Sequence, residues 1–586
     1  MGARLGESFS NSFQISEHLE KSPEDIVENI ASHFSAISEE YDPINITNLN
    51  EDIQISISNI IESDIPVLSE LQVYNKILAA KKPNSSVPGD IPKKLIQEFP
   101  VEITTPATII INKALKSLKF PNTWKKEYGT PIPKVPNPET NDELRLISLT
   151  KFLSKIFESF LVDWILDYLG HLIDPSHFGG LKGNSLSHYI IQLTNFILSN
   201  LDSSSPTAVL ATIIDFSKAF NRMSHSNVVT IMHDLGLPAW LLKIIISYLS
   251  GRTMVVRHMG ATSSEKKMDG GSPQGTLLGV ICFLLQMNGI QAVPQLSFEE
   301  RLVPPGIKQK SIACKYVDDL SVASAIKLKE CLQKDHQITK PLTYHSRTEH
   351  VLPTENNPMI PQLQHITNFA SENQMKINKE KTKVMLFSRS KSMDFQPVLY
   401  LEDKLLEVVE EIKLLGIIFS SDLKWKKNIR FMKKKCYTKF WILRRMKEIG
   451  ATKEDLLDVY KIQIRCLTEI GCASWNGALT ITDHEDIEKI QKVACRIILG
   501  NTYMSYKSSL TTLGLCTLKE RRVELCMRFS QKVEKSPKFK KWLKTPNIKT
   551  RPSKNIYRKK YILPKARTAI YGKSPLFHIA NLLNSQ

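Results

Sequence analysis

Residues 311–324 read Ser-Ile-Ala-Cys-Lys-Tyr316-Val317-Asp318-Asp319-Leu-Ser-Val-Ala-Ser, and this stretch decides the fold. Apolar runs on both sides of a polar tetrapeptide have the pattern of a strand, a tight turn and a second strand. Asp is a poor strand former, so two of them on one turn need a reason. Adjacent carboxylates repel, and a bound divalent cation is the usual relief of that repulsion. Taken alone, the tetrapeptide reads equally well as an exposed acidic turn.

A third carboxylate lies about a hundred residues earlier. Val209-Leu210-Ala211-Thr212-Ile213-Ile214 is a continuous apolar run, as expected of a buried strand, and Asp215 ends it. Ser217-Lys218-Ala219-Phe220-Asn221 then turns into a helical pattern through Val228, Val229, Ile231 and Met232, stopping at Gly236. Taken singly, Asp215 is also a plausible helix N-cap. Together with the pair on a neighbouring hairpin, it can converge on one point. Oxygen-only ligation by carboxylates suits Mg²⁺, which keeps waters and binds substrate phosphates. Two such ions about 4 Å apart activate an attacking hydroxyl and stabilise the leaving oxygen in phosphoryl transfer.

Four further stretches follow a consistent order. Pro131-Ile132-Pro133-Lys134 precedes Leu144-Arg145-Leu146-Ile147-Ser148-Leu149. Gly270-Gly271-Ser272-Pro273-Gln274-Gly275 is a turn-rich loop before Thr276–Leu285, which is apolar on every side and so reads as a buried helix. Asn378-Lys379-Glu380-Lys381-Thr382-Lys383 leads into the apolar strand Val384–Phe387. Leu414-Leu415-Gly416-Ile417, followed by Asp422 and Trp425, reads as a second hairpin.

This ordered set resembles the reverse transcriptase of animal non-LTR (LINE-type) retrotransposons. The resemblance runs from Pro88-Gly89-Asp90-Ile91-Pro92 to the hairpin near 416, with looser matches to the C-terminus. The combination of Asp215-Phe-Ser-Lys-Ala-Phe220, Ser272-Pro-Gln-Gly275 and Tyr316-Val-Asp-Asp319 carries it. The resemblance implies an α+β right-hand polymerase that extends a primer 3′-hydroxyl with deoxynucleoside triphosphates on an RNA template. Asp215, Asp318 and Asp319 would hold two Mg²⁺ ions, or Mn²⁺, and Tyr316 would lie on the strand that aims the pair. Phe220 would sit under the incoming sugar and exclude a ribose 2′-hydroxyl. Gln274 and Gly275 would line the template and nucleotide pocket. Arg145 and Lys134 would grip the triphosphate, and Lys381 would give a proton to departing pyrophosphate, with Lys379 and Lys383 close by. Leu415-Gly416 would support the primer end. Two departures from the family pattern are Leu146, where Pro usually follows the arginine, and Val317, where Ala is commoner. Neither removes a chemical group. Two rival readings are an element-derived nucleic-acid-binding protein that no longer polymerises and a group II intron maturase.

Charge supports a nucleic-acid partner. The chain carries 78 Lys+Arg against 59 Asp+Glu, a net +19. Residues 1–75 hold 2 basic and 14 acidic residues, so the remainder carries 76 against 45. Ser421–Gly450 has 11 basic and 2 acidic residues, and Gln531–Lys573 has 15 basic residues against Glu534 alone. Such runs neutralise phosphates in a salt-sensitive, largely sequence-independent way. Their aromatics, Trp425, Phe431, Tyr437, Phe440, Trp441, Phe539, Trp542, Tyr557 and Tyr561, are candidates either for stacking on unpaired bases or for the core.

With 586 residues the chain can bury several cores. Residues 1–75 read as an acidic lead-in of helical pieces whose composition is compatible with partial disorder. Fingers are expected over 76–205, with helices around Leu153–Leu169 and Tyr189–Leu201. The palm is expected over 206–420, with a polar insert near 333–362, and the reverse transcriptase region spans roughly 110–420. A helical thumb with a Leu456, Leu457, Val459, Tyr460, Ile464 stripe is expected over 421–505, and a basic region over 506–586. Nine cysteines include no Cys-x-x-Cys pair, which argues against a zinc knuckle and for reduced thiols. No apolar stretch approaches the roughly 20 residues a bilayer needs, and the N-terminus lacks a signal-peptide pattern. An intracellular protein of the nucleus or cytoplasm is expected. With about 75 residues ahead of the fingers and no segment reading as RNase H, the chain is expected to be the polymerase part of a longer element protein or a truncated copy.

Overall fold

The computed structural model describes residues 22–80, 87–205, 207–292, 309–327, 350–351, 357–389, 395–545, 560–563 and 565–585. Helices and sheets are mixed along the chain, an α+β protein. Contacts divide it into two compact units, one comprising Met1–Ile173, Phe216–Gly289 and Asn368–Ile377, the other Asp174–Asp215, Ile290–Thr367 and Asn378–Gln586. The segment 206–420, read from sequence as a palm, is thus shared between the two. The polar insert near 333–362 lies mostly outside the described residues.

In the first unit a sheet runs Leu144–Leu149, Lys126–Pro133, Arg252–His258, with the short strands Ala261–Thr262 and Lys266–Met268 both paired to the third. The acidic lead-in contributes a helix to its core. Ser22 caps helix Pro23–Ser38 through the Asp25 N–H, and a proline opens its first turn. Ile26, Val27, Ile30, Ala31, Phe34 and Ile37 form its buried stripe. They pack with Leu144, Leu146, Met254, Val256 and Met268 of the sheet. Net acidity describes the solvent face of this segment; its apolar period decides its place. Helices Phe152–Leu169 and Leu277–Gln286 pack on each other, the second buried almost throughout as its uniform apolarity requires.

The second unit is built on a five-stranded sheet ordered Glu407–Val408, Lys383–Phe387, Thr207–Ile214, Asp319–Lys327, Ser311–Tyr316. Every pairing is antiparallel except the first. Helix Leu186–Leu201 is buried along nearly its whole length against Thr207–Ile214 and Ser311–Tyr316. The expected second hairpin forms from Glu411–Leu414 and Ile417–Ser420. Beyond it, helix Lys426–Glu448 packs on helix Ile481–Leu499. The expected 456–464 stripe straddles a break: α-helix Lys453–Val459 passes into a π-helical turn at Tyr460–Ile464. That extra residue leaves Leu456, Tyr460 and Ile464 buried and Leu457 and Val459 half-buried.

The basic C-terminal region is also part of this core. Phe539, Trp542 and Tyr561 are buried within it, as are Trp425 and Phe440 farther upstream. Stacking on nucleic acid is therefore excluded for these five in this fold, while Tyr437 and Trp441 remain exposed. Tyr557 lies outside the described residues. Among the described residues no helix is long and apolar enough to cross a membrane.

Candidate active site

The strand ending in Asp215 is the middle of the five, buried from Ala208 to Ile214. Its last ladder rung pairs Ile214 with Leu320, so Asp215 follows directly beside Asp319. Asp319 in turn pairs with Tyr316 across the hairpin, leaving Val317 and Asp318 as a two-residue turn. Adjacent Cα atoms across an antiparallel pair stand about 5 Å apart. The sheet register therefore brings the three carboxylates to one end of adjoining strands. Asp215 and Asp319 are half-buried and Asp318 is exposed.

The end of the Asp215 strand is tied to the lysine-rich segment. The Asn378 N–H donates to the Asp215 carbonyl at 2.7 Å, and the Asp215 N–H donates to Thr382 Oγ1 at 3.4 Å. Of the three lysines there, Lys379 pairs with Glu402 and Asp403, and Lys383 with Glu407. Among the described residues the exposed Lys381 ammonium enters no ion pair. Sequence alone left the choice among these three open.

Among the described residues no group of three or more His, Cys, Asp or Glu side chains is placed to hold a metal ion. The site is an open set of carboxylates on strand ends. Such an all-oxygen, incomplete set fits Mg²⁺ or Mn²⁺, which take their remaining ligands from water and substrate phosphates.

The first unit gathers the other predicted residues around the Gly270–Gly275 loop. The Ser272 N–H donates to the Phe220 carbonyl at 2.7 Å, and the Gly271 N–H to the Met223 carbonyl at 2.8 Å. Gly271 has φ +80°, and a Cβ there would fall 2.9 Å from the Asn221 carbonyl oxygen, so a side chain has no room. On its other side the loop accepts the Ser148 N–H at the Gln274 carbonyl, 2.9 Å. Ser148 lies on the Arg145 strand. Phe220, on a short 3₁₀ turn before helix His225–Asp234, stacks on Phe283 with ring centres 4.8 Å apart. Its side chain is half-buried, as is that of Gln274, and Gly275 is exposed with φ +119°.

Arg145 pairs with Ile132 across the Lys126–Pro133 and Leu144–Leu149 hairpin and is exposed. Lys134, also exposed, closes that hairpin: its N–H donates to the Glu143 carbonyl and its ammonium to the Asp142 carbonyl, each at 2.7 Å. The neighbouring Lys218 ion-pairs with Asp142 at 2.6 Å, tying the Phe220 turn to the hairpin and holding the Asp142 carboxyl below its usual range. Beneath the sheet, Glu127 and Glu158 are buried beside Arg252, and burial raises both carboxyls above the usual range.

Sequence reading missed the residues under the Tyr316–Asp319 hairpin. Lys315, wholly buried, pairs with buried Asp174 at 2.6 Å and donates to the Ile290 carbonyl at 2.7 Å. His177, also wholly buried, touches the turn itself. A lysine at the end of an otherwise apolar strand was the available signal, since a buried ammonium requires an anion.

Residues 132–419 match the family described as reverse transcriptase (RNA-dependent DNA polymerase). The chain is 22% identical over 511 residues to "Probable RNA-directed DNA polymerase from transposon X-element" of Drosophila melanogaster, covering 85% of this chain and 52% of that protein. It is 23% identical over 451 residues to the corresponding protein of transposon BS from the same fly, covering 75% and 46%. To the RNA-directed DNA polymerase from mobile element jockey of D. melanogaster it is 27% identical over 209 residues, covering 35% and 22%. The chain spans about half the length of the first two of these relatives.

Proposed function

We propose that the protein is an RNA-directed DNA polymerase, a reading supported by the match of residues 132–419 to the reverse transcriptase family and by similarity to the RNA-directed DNA polymerases of transposons X-element and BS. It extends the 3′-hydroxyl of a DNA primer with deoxynucleoside triphosphates on an RNA template. The observation that carries this reading is the register that sets Asp215 beside Asp319 at the tip of the Tyr316–Asp319 hairpin.

Asp215, Asp318 and Asp319 would hold two Mg²⁺ ions, or Mn²⁺. Bound there, the ions supply activation of the primer hydroxyl and neutralisation of the phosphoryl and leaving-group charge. The chain's own groups do the rest. Arg145 and Lys134 take the triphosphate oxygens, the guanidinium in a bidentate grip and the ammonium as a point charge. Phe220, braced by Phe283, sits under the sugar and excludes a 2′-hydroxyl. Gln274 and Gly275 face the template and nucleotide pocket, and Tyr316 sets the strand that aims the carboxylates. Lys381 protonates the departing pyrophosphate, a role supported by its freedom from the ion pairs that occupy Lys379 and Lys383. In the right-hand arrangement, the Arg145 hairpin belongs to the fingers, the five-stranded sheet to the palm and helix Lys426–Glu448 to the thumb. Its place of action is inside the cell, in the nucleus or cytoplasm, which the eight free cysteines among the described residues support.

Primer extension on an RNA template tests the proposal. The wild-type chain gives Mg²⁺-dependent extension, and Asp318→Asn/Asp319→Asn abolishes it. Absence of extension by the wild type, with salt-sensitive RNA binding retained, would replace the polymerase by a nucleic-acid-binding protein.

A further inference from the structure

The Val317 turn carries a conformational problem. Between Tyr316 and Asp319 only two residues close the hairpin, and Val317 has φ +60°. A positive φ at the first loop position is where a two-residue hairpin turn ordinarily places glycine. Val is β-branched, and its side chain crowds the backbone in the left-handed region. Some part of the surroundings must hold the turn in place.

The segment Asp174–Gly179 does so. It runs alongside the Ser311–Tyr316 strand in a parallel bridge, His177 opposite Lys315. The Lys315 N–H donates to the Ser176 carbonyl at 3.0 Å, and the Phe178 N–H donates to the Lys315 carbonyl at 2.8 Å. The Lys315 ammonium pairs with Asp174, whose other oxygen accepts from the Ser176 N–H and hydroxyl. At the tip, the Val317 N–H donates to His177 Nε2 at 3.1 Å. Gly179 lies against the same turn: a Cβ there would fall 2.6 Å from the Val317 nitrogen and 2.7 Å from its Cγ2.

Accepting through Nε2 forces the His177 proton onto Nδ1. There, among the described residues, it has no acceptor. A buried donor without a partner is costly and calls for an explanation. Burial, with the Lys315 charge near, holds the imidazole well below its usual range, so the ring stays a neutral acceptor.

We infer that His177 is a positioning residue for polymerisation, fixing the Val317 amide and thereby the directions in which Asp318 and Asp319 project. The inference rests on the polymerase reading for its consequence, though the contact itself is independent of it. A residue that only filled space would be replaced by any side chain of similar volume. A residue that accepts one N–H is replaced only by another acceptor, or becomes dispensable when the turn no longer needs help.

Steady-state primer extension with His177→Ala, His177→Gln and the double variant His177→Ala/Val317→Gly separates these cases. Misplacing catalytic groups by about 1 Å costs on the order of 10²-fold, so His177→Ala should lower kcat by about 10- to 100-fold while KM for the nucleotide changes less than about threefold. Glutamine, with a neutral acceptor oxygen, should retain most of the activity. The double variant should recover most of what the single lost, because glycine adopts positive φ without cost. Hydrogen exchange of the peptide covering 311–324 gives a reading independent of turnover, with protection of the Val317 amide lost in His177→Ala and regained in His177→Gln. Equal activity of His177→Ala and wild type, or equal losses in Ala and Gln without recovery by Val317→Gly, would overturn the inference. If the wild type fails to extend primers while the exchange pattern holds, the polymerase reading falls and the contact stands. Unchanged exchange in His177→Ala overturns the contact whatever the activity.

Discussion

Two lysine-rich segments of this chain, alike in composition, have opposite fates. In helix Lys426–Glu448 the residues Ile429, Met432, Cys436, Phe440 and Leu443 form one buried stripe. Tyr437 and Trp441, four apart and off that stripe, are 44% and 59% exposed among the lysines. In the segment after Gln531 the described aromatics Phe539, Trp542 and Tyr561 turn inward. Phe539 and Trp542 lie on a short 3₁₀ turn, where residues three apart share a face. Phe539 stacks on His188 with ring centres 3.8 Å apart, and the Trp542 Nε1–H donates to Gln192 Oε1 at 3.1 Å. Lys538, between Phe178 and Phe539, donates to the His177 carbonyl at 3.2 Å. Lysine count describes both segments equally. The period on which the aromatics fall separates a candidate nucleic-acid face from a part of the core.

The largest effect that would break this comparison is on stability. Trp542→Ala empties a buried indole site and orphans Gln192, and should cost about 3–5 kcal/mol, read as a fall in the urea midpoint. A loss under about 1 kcal/mol would mean the C-terminal segment is not core. Trp441→Ala should do the reverse. Stability should move by less than about 0.5 kcal/mol, while binding to single-stranded RNA weakens by about 1–3 kcal/mol, read by fluorescence anisotropy. Unaltered affinity would remove the nucleic-acid reading of that helix face.

The third effect is a pH dependence, small in any one pH step. Burial, aided by the Lys538 charge, pushes the His188 imidazole down to about 3, whereas an unfolded histidine titrates near about 6.5. The folded state therefore binds fewer protons between those values. Stability from this group is complete above about pH 6.5 and is lost as pH falls towards 3, at no more than about 1.4 kcal/mol per pH unit. His188→Phe should flatten the acid limb of a plot of urea midpoint against pH by that one proton. An unchanged acid limb would place His188 in contact with solvent.

Much of the candidate site was legible because it rests on local pattern. The apolar run to Ile214, the runs around Tyr316–Asp319 and the uniform apolarity of Leu277–Gln286 each fixed an element. The stripe of Ile26, Val27, Ile30, Phe34 and Ile37 was equally local, but overall acidity concealed it. What remained hidden depends on distant partners. His177 accepts at its carbonyl from Lys538, 361 residues away, and no period in either segment announces the other. The ion pair of Lys315 with Asp174 is of the same kind.

Asp215, Asp318 and Asp319 are proposed to act as one unit on adjoining strand ends. A double-mutant cycle of Asp215→Asn and Asp319→Asn, read as the rate of nucleotide incorporation on an RNA template, addresses this directly. Residues that act as a unit are strongly non-additive, so each single variant should fall to the same residual rate and the double variant should be no slower. Appreciable extension by Asp215→Asn, or losses that multiply in the double variant, would contradict a shared site.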